Sequence, residues 1–140
     1  MALTANREVP HLPDKELREF PVATAVKIYK GALLTTRSTG FVGPFADEGT
    51  EQFAGIAYEE ADNTGGANGA KKVRAYTEGD FELPLSGAAQ TDLHDLVYGS
   101  ADDTLTKTAT AHTRVGRIMG FPSAGKVLVR IDEALGATTP

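Results

Sequence analysis

The fold class is decided by residues 115–131, VGRIMGFPSAGKVLVRI, near the end of the chain. Residues 120–126 match the first seven positions of a phosphate-binding P-loop, but Val127 stands where that motif needs a serine or threonine for magnesium. A P-loop must also lead into a helix, whereas Val127, Val129 and Ile131 alternate with other residues as in a strand. The stretch therefore predicts a hairpin of residues 115–119 and 127–131, not a nucleotide site.

Short alternating runs between glycine-rich turns continue through the rest of the chain. From Phe20 to Ile28 every second residue falls on one face of a predicted strand, and Gly55 marks a bulge or a close backbone approach in another. Further strands are predicted at residues 32–36, 53–58, 96–98 and 104–111, with a hairpin of 72–76 and 81–85. In the last third of the chain only residues 91–96 look helical, for about one turn. Turn signals recurring about every ten residues predict an all-β fold, a small β-barrel or sandwich of short antiparallel strands with at most one short helix.

The first twenty residues differ from the rest of the chain. Pro10 and Pro13 interrupt them, apolar residues are isolated, and Pro21 would end a short helix over residues 14–20. We expect residues 1–20 to form an N-terminal arm, residues 21–134 the β domain and residues 135–140 a flexible C-terminal tail. Such an arm is either a free tail or a segment that docks on a partner. Its candidate contacts with a partner or a neighbouring subunit are Val9, His11, Leu12, Leu17 and Phe20.

Composition and charge argue against several classes of function. The 140 residues include no cysteine, which excludes disulfides and cysteine-based zinc sites. Fourteen basic and 19 acidic residues give a net charge of −5, which argues against binding to nucleic acid or to an anionic membrane. No apolar run approaches the length of a membrane span, and the first residues lack the layout of a secretion signal. We therefore expect synthesis in a cytoplasm and no direct contact with nucleic acid or membrane.

Candidate catalytic and metal-binding residues are few and scattered. The carboxylate pairs Glu59-Glu60 and Asp102-Asp103 lie on opposite faces of a strand or in a turn, where two carboxylates do not converge on one substrate. The three histidines have no neighbouring ligand group, and the loop at residues 62–69 lacks the spacing of a calcium site. We expect no enzymatic activity, no bound metal and no cofactor.

Two alternatives stay open beside a purely structural role. One is a small all-β glycan-binding module that uses exposed aromatic residues, with Tyr58 as the contact to test. The other is a hydrolase that uses Asp102 or Glu59. Most of the aromatic residues are expected to serve the core and the strands; the candidates are Phe41, Phe45, Phe53, Tyr58, Tyr76, Phe81 and Tyr98.

An ordered set of segments carries a family resemblance over about residues 22 to 132. The segments are 26–34 (VKIYKGALL), 53–57 (FAGIA), 72–79 (KVRAYTEG), 96–106 (LVYGSADDTLT), 115–118 (VGRI) and 127–131 (VLVRI). In this order they resemble the head decoration, or capsid cement, proteins of tailed bacteriophages. The N-terminal arm lies outside the resemblance.

The resemblance implies a structural protein of the virion. Proteins of this family are small β-barrels or sandwiches on the outer surface of the phage head, often homotrimers, that bind the major capsid protein. They stabilise the shell against the pressure of packaged DNA. The family has no catalytic residues to transfer to this chain, and the chain would be made in the cytoplasm of the bacterial host.

Overall fold

The computed structural model describes residue 5, residues 17–46 and residues 51–131. Val9, His11, Leu12 and the predicted tail at 135–140 therefore lie outside the described residues. Within them, a single turn of 3-10 helix at Gln90–Asp92 accompanies twelve strands. The strands are β1 Leu17–Pro21, β2 Lys27–Ile28, β3 Leu33–Thr36, β4 Val42–Pro44, β5 Gln52–Ala57, β6 Ala61–Asp62, β7 Lys72–Tyr76, β8 Gly79–Pro84, β9 Leu96–Ala101, β10 Thr104–Thr106, β11 Thr113–Ser123 and β12 Lys126–Ile131.

The strands form two five-stranded antiparallel sheets and one small pair. The first sheet has the order β1-β7-β5-β3-β4, and the second has the order β10-β9-β11-β12-β8. Strands β2 and β6 pair with each other outside both sheets. The described part of the chain is thus an all-β sandwich and does not form a closed barrel, which confirms the predicted fold class in its sandwich form.

The main core lies between the two sheets. Leu33 and Ile56 of the first sheet pack with Val115, Val127 and other apolar residues of the second sheet. A second apolar cluster contains Leu34, the neighbour of Leu33 on β3, together with other residues of the first sheet and of the β2–β6 pair. Because neighbouring residues of a strand point to opposite faces, the first sheet is covered on both sides. Each fully buried valine or isoleucine contributes about 1.5–3 kcal/mol to this packing.

The hairpin predicted for residues 115–131 is confirmed. Strands β11 and β12 pair antiparallel, and Ser123 lies opposite Lys126 beside the turn. Val127, Val129 and Ile131 are fully buried, as their alternation predicts. Since β12 follows this turn directly, the P-loop-like residues lead into a strand and not into a helix.

The hairpin predicted for residues 72–85 is wrong. Strand β7 belongs to the first sheet, where it pairs with β1 and β5, whereas β8 belongs to the second sheet and pairs with β12. The chain crosses between the sheets at Thr77 and Glu78. Gly79 has a φ of +127°, which strongly favours glycine at the point where β8 begins.

The segment before residue 28 also differs from its prediction. Residues 17–20 are neither arm nor helix but belong to β1, which pairs along its full length with β7. Phe20 packs against the second apolar cluster, and Pro21 is accommodated because β1 is an edge strand. The strand predicted from Phe20 to Ile28 is interrupted by a turn at Thr24 and Ala25, where Ala25 has a φ of +60°.

Two later elements are shorter than predicted. The helical turn ends at Asp92, and Leu96 already begins β9. Strand β10 stops at Thr106 because the chain bends at Lys107, and residues 110–111 then form a turn in which Ala111 has a φ of +63°. In the described part of the chain, no helix has the length and apolar character needed to cross a membrane.

Candidate functional site

A cleft opens where two turns of the sandwich meet. One turn joins β2 to β3, and the other joins β9 to β10. The cleft has a volume of about 360 Å³. Its lining residues are Tyr29, Lys30, Gly31, Ala32, Asp102 and Asp103.

Backbone hydrogen bonds fix the two turns relative to each other. The Ala32 N–H donates to the Tyr29 carbonyl at 3.1 Å, and Gly31 supplies the φ of +86° that this turn requires. The Leu33 N–H donates to the Asp102 carbonyl at 2.8 Å and so joins the first turn to the second. The Gly31 N–H donates to the carbonyl of Ala57 in β5 at 2.9 Å. The floor of the cleft is therefore tied to the first sheet.

The side chains around the cleft combine an aromatic ring with charges of both signs. Tyr29 is 57% exposed, and the Lys27 ammonium lies 5.0 Å from the centre of its ring. Asp103 accepts a hydrogen bond from the Thr104 hydroxyl at 2.8 Å. With residues 17–46 and 51–131 as partners, the side chains of Lys30 and Asp102 make no ion pair or hydrogen bond. Both residues line the cleft.

A smaller apolar cleft of about 150 Å³ adjoins the first one. The two share Gly31, Asp102 and Asp103. The apolar walls of the smaller cleft are Leu33, Leu83, Pro84 and Leu105. The combined opening thus has a polar half beside Tyr29 and an apolar half between β8 and β10.

The residues predicted from the sequence to contact a partner are not at this cleft. Leu17 and Phe20 lie on β1, at an edge of the first sheet, and both are partly buried. The predicted contacts Val9, His11 and Leu12 belong to the part of the chain that the structure does not describe.

The carboxylate pairs Glu59-Glu60 and Asp102-Asp103 lie in different surroundings. Glu59 forms a forked ion pair with Arg74, whose Nη2 and Nε lie 2.8 and 3.1 Å from its oxygens, and these hydrogen bonds lower the pKa of Glu59. Asp102 and Asp103 occupy the β9–β10 turn, as predicted. Among the described residues, no three histidine or carboxylate side chains come together in a way that could hold a metal ion.

Most of the candidate aromatic residues serve the core, as predicted. Phe45 and Tyr98 are buried, and Phe53, Tyr76 and Phe81 pack against the main apolar cluster. Tyr58 is 38% exposed, but its ring contacts the Tyr76 ring edge-on and lies under the Arg74 guanidinium, 5.0 Å away. Most of these rings therefore pack inside the sandwich and do not offer an exposed surface to a ligand.

Tyr29 is the most exposed aromatic residue of the described chain, and it is not among the aromatic candidates predicted from the sequence. Alternation places Tyr29 on the other face of the chain from its neighbour Ile28, which is buried. The exposure of Tyr29 therefore follows from the sequence. Its neighbours in the cleft, Asp102 and Asp103, come from a turn far along the chain. No local signal in the sequence brings them together.

The comparisons with known proteins give no relative: no family model, no curated protein and no solved structure matches the chain.

Proposed function

We propose that this protein is a non-enzymatic structural component of a tailed-phage virion, bound to the outer surface of the head. The observation that carries the proposal is the ordered set of segments that resembles capsid decoration proteins. These segments contribute to β2, β3, β5, β7 and the strands from β9 to β12, which build both sheets of the sandwich. The fold implied by the resemblance agrees with this architecture.

The proposed task is mechanical. The protein is made in the host cytoplasm, binds the major capsid protein and stabilises the shell against the pressure of packaged DNA. A sandwich with a main core between the sheets and a second cluster behind the first sheet supports such a task, because close-packed interiors have low compressibility.

The N-terminal segment is the proposed contact with the capsid. Residues 1–16 precede β1, which is an edge strand of the first sheet. A chain segment next to a sheet edge can add strand pairing to a partner or place apolar side chains in a groove. Val9, His11 and Leu12 are the proposed contact residues, and Leu17, at the start of β1, is a fourth. Phe20 is committed to packing inside the domain.

We propose a homotrimer as the unit that binds. Three copies held together engage the shell at three points, and after the first contact the others form at a high effective concentration. Modest single contacts then give firm retention. Sedimentation equilibrium should give three times the chain mass of 14.8 kDa, and a monomer at capsid-binding concentrations would contradict this part of the proposal.

Co-sedimentation with phage heads tests the attachment. Purified protein is added to expanded heads that lack it, and bound protein is measured against the major capsid protein. We expect saturable binding at a fixed ratio. A variant with both Val9→Ala and Leu12→Ala should bind at least about ten-fold more weakly, because it loses two apolar anchors.

The matched control carries Thr4→Ala and Asn6→Ala, two changes in the same segment that remove no apolar anchor. This control should bind like the unmodified chain. A folded protein that does not sediment with heads would overturn the proposed function. Equal binding by the Val9/Leu12 variant would overturn the role of the N-terminal segment alone.

A further inference from the structure

We propose that the cleft at Tyr29 and Asp102 is a binding site for a short neutral saccharide. The inference does not rest on attachment to a capsid, because it concerns a surface of the single chain. It also moves the aromatic contact of a possible glycan site from Tyr58 to Tyr29.

The exposed ring of Tyr29 is a suitable surface for a sugar. Tyr29 and Tyr58 are the exposed large apolar side chains of the described residues, and Tyr29 is the more exposed of the two, at 57% against 38%. A pyranose ring has an apolar face of C–H groups, which packs favourably against the electron-rich face of an aromatic ring. The Lys27 ammonium, 5.0 Å from the ring centre, restricts the orientation of Tyr29. The Tyr29 ring can therefore act as an oriented platform.

Polar groups beside the ring can form hydrogen bonds with the hydroxyl groups of a sugar. The carboxylates of Asp102 and Asp103 accept hydrogen bonds, and sugar hydroxyls are donors that suit them. The Lys30 ammonium can donate to a hydroxyl oxygen of the same sugar. Hydrogen bonds to charged groups are about twice as strong as neutral ones.

The charge of the cleft selects among sugars. Asp102 and Asp103 line the cleft with a single ammonium, Lys30, so the lining itself is negative, while the Lys27 ammonium lies over the Tyr29 ring outside this lining. An anionic sugar or a phosphate group would meet like charge there, which costs affinity. The chemistry therefore favours a neutral saccharide over sialic acid, a uronic acid or a nucleotide.

The shape and stiffness of the cleft also suit a small ligand. Its volume of about 360 Å³ lies within the usual range for small-molecule sites. Two backbone hydrogen bonds, from Leu33 to Asp102 and from Gly31 to Ala57, hold its turns in place before any ligand arrives. A preformed site loses little conformational entropy on binding. The adjoining apolar cleft offers room for a nonpolar substituent of the sugar.

The test is a titration of the isotope-labelled full chain followed by two-dimensional NMR. The probes are glucose, galactose, mannose, N-acetylglucosamine, maltose and lactose, each added separately, with N-acetylneuraminic acid as the anionic comparison. We expect saturable shifts in residues 29–33 and 101–104 with at least one neutral sugar. The expected dissociation constant is on the order of 1 mM, typical of a small polar ligand with few contacts.

Four variants make the test specific. Tyr29→Ala should weaken binding by about ten-fold or more, and Tyr29→Phe, which keeps the ring, should bind nearly as well as the unmodified chain. Asp102→Asn should weaken binding by about five- to ten-fold, because a charged acceptor becomes neutral. Tyr58→Ala is the matched control: it removes the other exposed tyrosine and should leave binding unchanged.

The outcomes separate this proposal from the proposed function. Absence of saturable shifts with all six neutral sugars would overturn the saccharide site, whatever the chain does with phage heads. Binding that survives Tyr29→Ala, or that is lost in Tyr58→Ala, would overturn the assignment to this cleft. Tighter binding of N-acetylneuraminic acid would contradict the argument from charge.

Discussion

At Gly55 the first sheet has no room for a side chain. Its φ is +146°, and a Cβ atom there would collide with the carbonyl oxygen of Tyr76 on the neighbouring strand. The pairing of β5 with β3 is irregular at the same place, between Leu34 and Thr35. The sequence predicts a bulge or a close backbone approach at this glycine, and the structure confirms both.

We expect Gly55→Ala to lower the free energy of unfolding by about 3 kcal/mol, since it combines an unfavourable φ with a backbone clash. The control is Gly65→Ala, where a Cβ would meet no atom within 4 Å and the change should stay within about 0.5 kcal/mol. Urea unfolding of both variants measures the difference. Equal stability of the two would show that the sheet does not depend on the close approach at residue 55.

Asn63 is a buried donor that joins two loops. Its side chain is 2% exposed, and its amide nitrogen lies 2.8 Å from the Ala23 carbonyl and 3.0 Å from the Ala67 carbonyl. From the sequence, Asn63 is one oxygen-bearing residue in a glycine-rich loop. Its burial depends on the packing of that loop against residues 22–24, which no local pattern reveals.

Asn63→Ala should cost about 1–3 kcal/mol of unfolding free energy, because it leaves the carbonyl of the buried residue Ala23 without the donor that Asn63 provides. Asn68→Ala serves as the comparison: its side chain accepts a hydrogen bond from the Thr24 N–H at the surface, and its loss should cost about 1 kcal/mol or less. Thermal unfolding of both proteins provides the measurement. A loss of stability in Asn68→Ala as large as in Asn63→Ala would refute the importance of burial.

Asp92 makes the stability of the fold depend on pH. Its carboxylate accepts a hydrogen bond from the Ala89 N–H at 2.9 Å and lies 3.3 Å from the Lys107 ammonium. The backbone hydrogen bond is the largest cause that lowers the pKa of Asp92, and Lys107 adds to it against the opposing effect of desolvation. The folded state therefore prefers the charged carboxylate.

A lowered pKa in the folded state gives stability that is present at neutral pH and lost on acidification. The loss begins near the unfolded-state pKa of about 3.9 and continues as the pH falls through the folded-state pKa. Asp92→Asn should therefore lose less stability than the unmodified chain between pH 6 and pH 2, as measured by urea unfolding at each pH. The loss of unfolding free energy in Lys107→Gln should lie between those of the other two proteins, since the hydrogen bond from the Ala89 N–H to the Asp92 carboxylate remains. If the unfolding free energy of Asp92→Asn falls with pH as steeply as that of the unmodified chain, Asp92 is not a source of the pH dependence.

At the scale of elements, the sequence predicts local pairing better than distant pairing. The β11–β12 hairpin is predictable because both alternating runs and the turn between them lie within residues 115–131. The β7–β8 region has the same appearance, yet its strands join different sheets. Which sheet a strand joins depends on partners far along the chain, and alternation carries no information about them.

Strand β1 illustrates the same limit. Its residues, LREFP, carry two charges and a proline and read as part of an arm. In the structure they pair with β7, with Phe20 opposite Val73. The candidate site has the same origin, because Tyr29 and Asp102 meet only through the packing of two distant turns.

Deletion of residues 2–21 should lower the free energy of unfolding by about 2–4 kcal/mol, because it removes the pairing with β7 and the burial of Phe20. Deletion of residues 2–16 retains β1 and should leave the stability unchanged. Chemical unfolding and amide exchange of β7 distinguish the two. If the longer deletion is as stable as the shorter one, β1 does not belong to the cooperative domain.

At the scale of the whole molecule, the sandwich presents different surfaces for the two proposed roles. The N-terminal segment leads to an edge of the first sheet through β1, and the saccharide cleft lies at the turns that join β2 to β3 and β9 to β10. Loss of one activity therefore does not require loss of the other. We expect that Tyr29→Ala still binds heads and that removal of residues 2–16 still leaves a cleft that binds sugar.

We propose that the protein stabilises a phage head against internal pressure. The direct measurement is the temperature at which DNA leaves filled heads that lack the protein, followed with a DNA-binding dye as purified protein is added. We expect this temperature to rise with added protein and to stop rising at the ratio where binding saturates. A release temperature that stays the same while the protein sediments with the heads would contradict it.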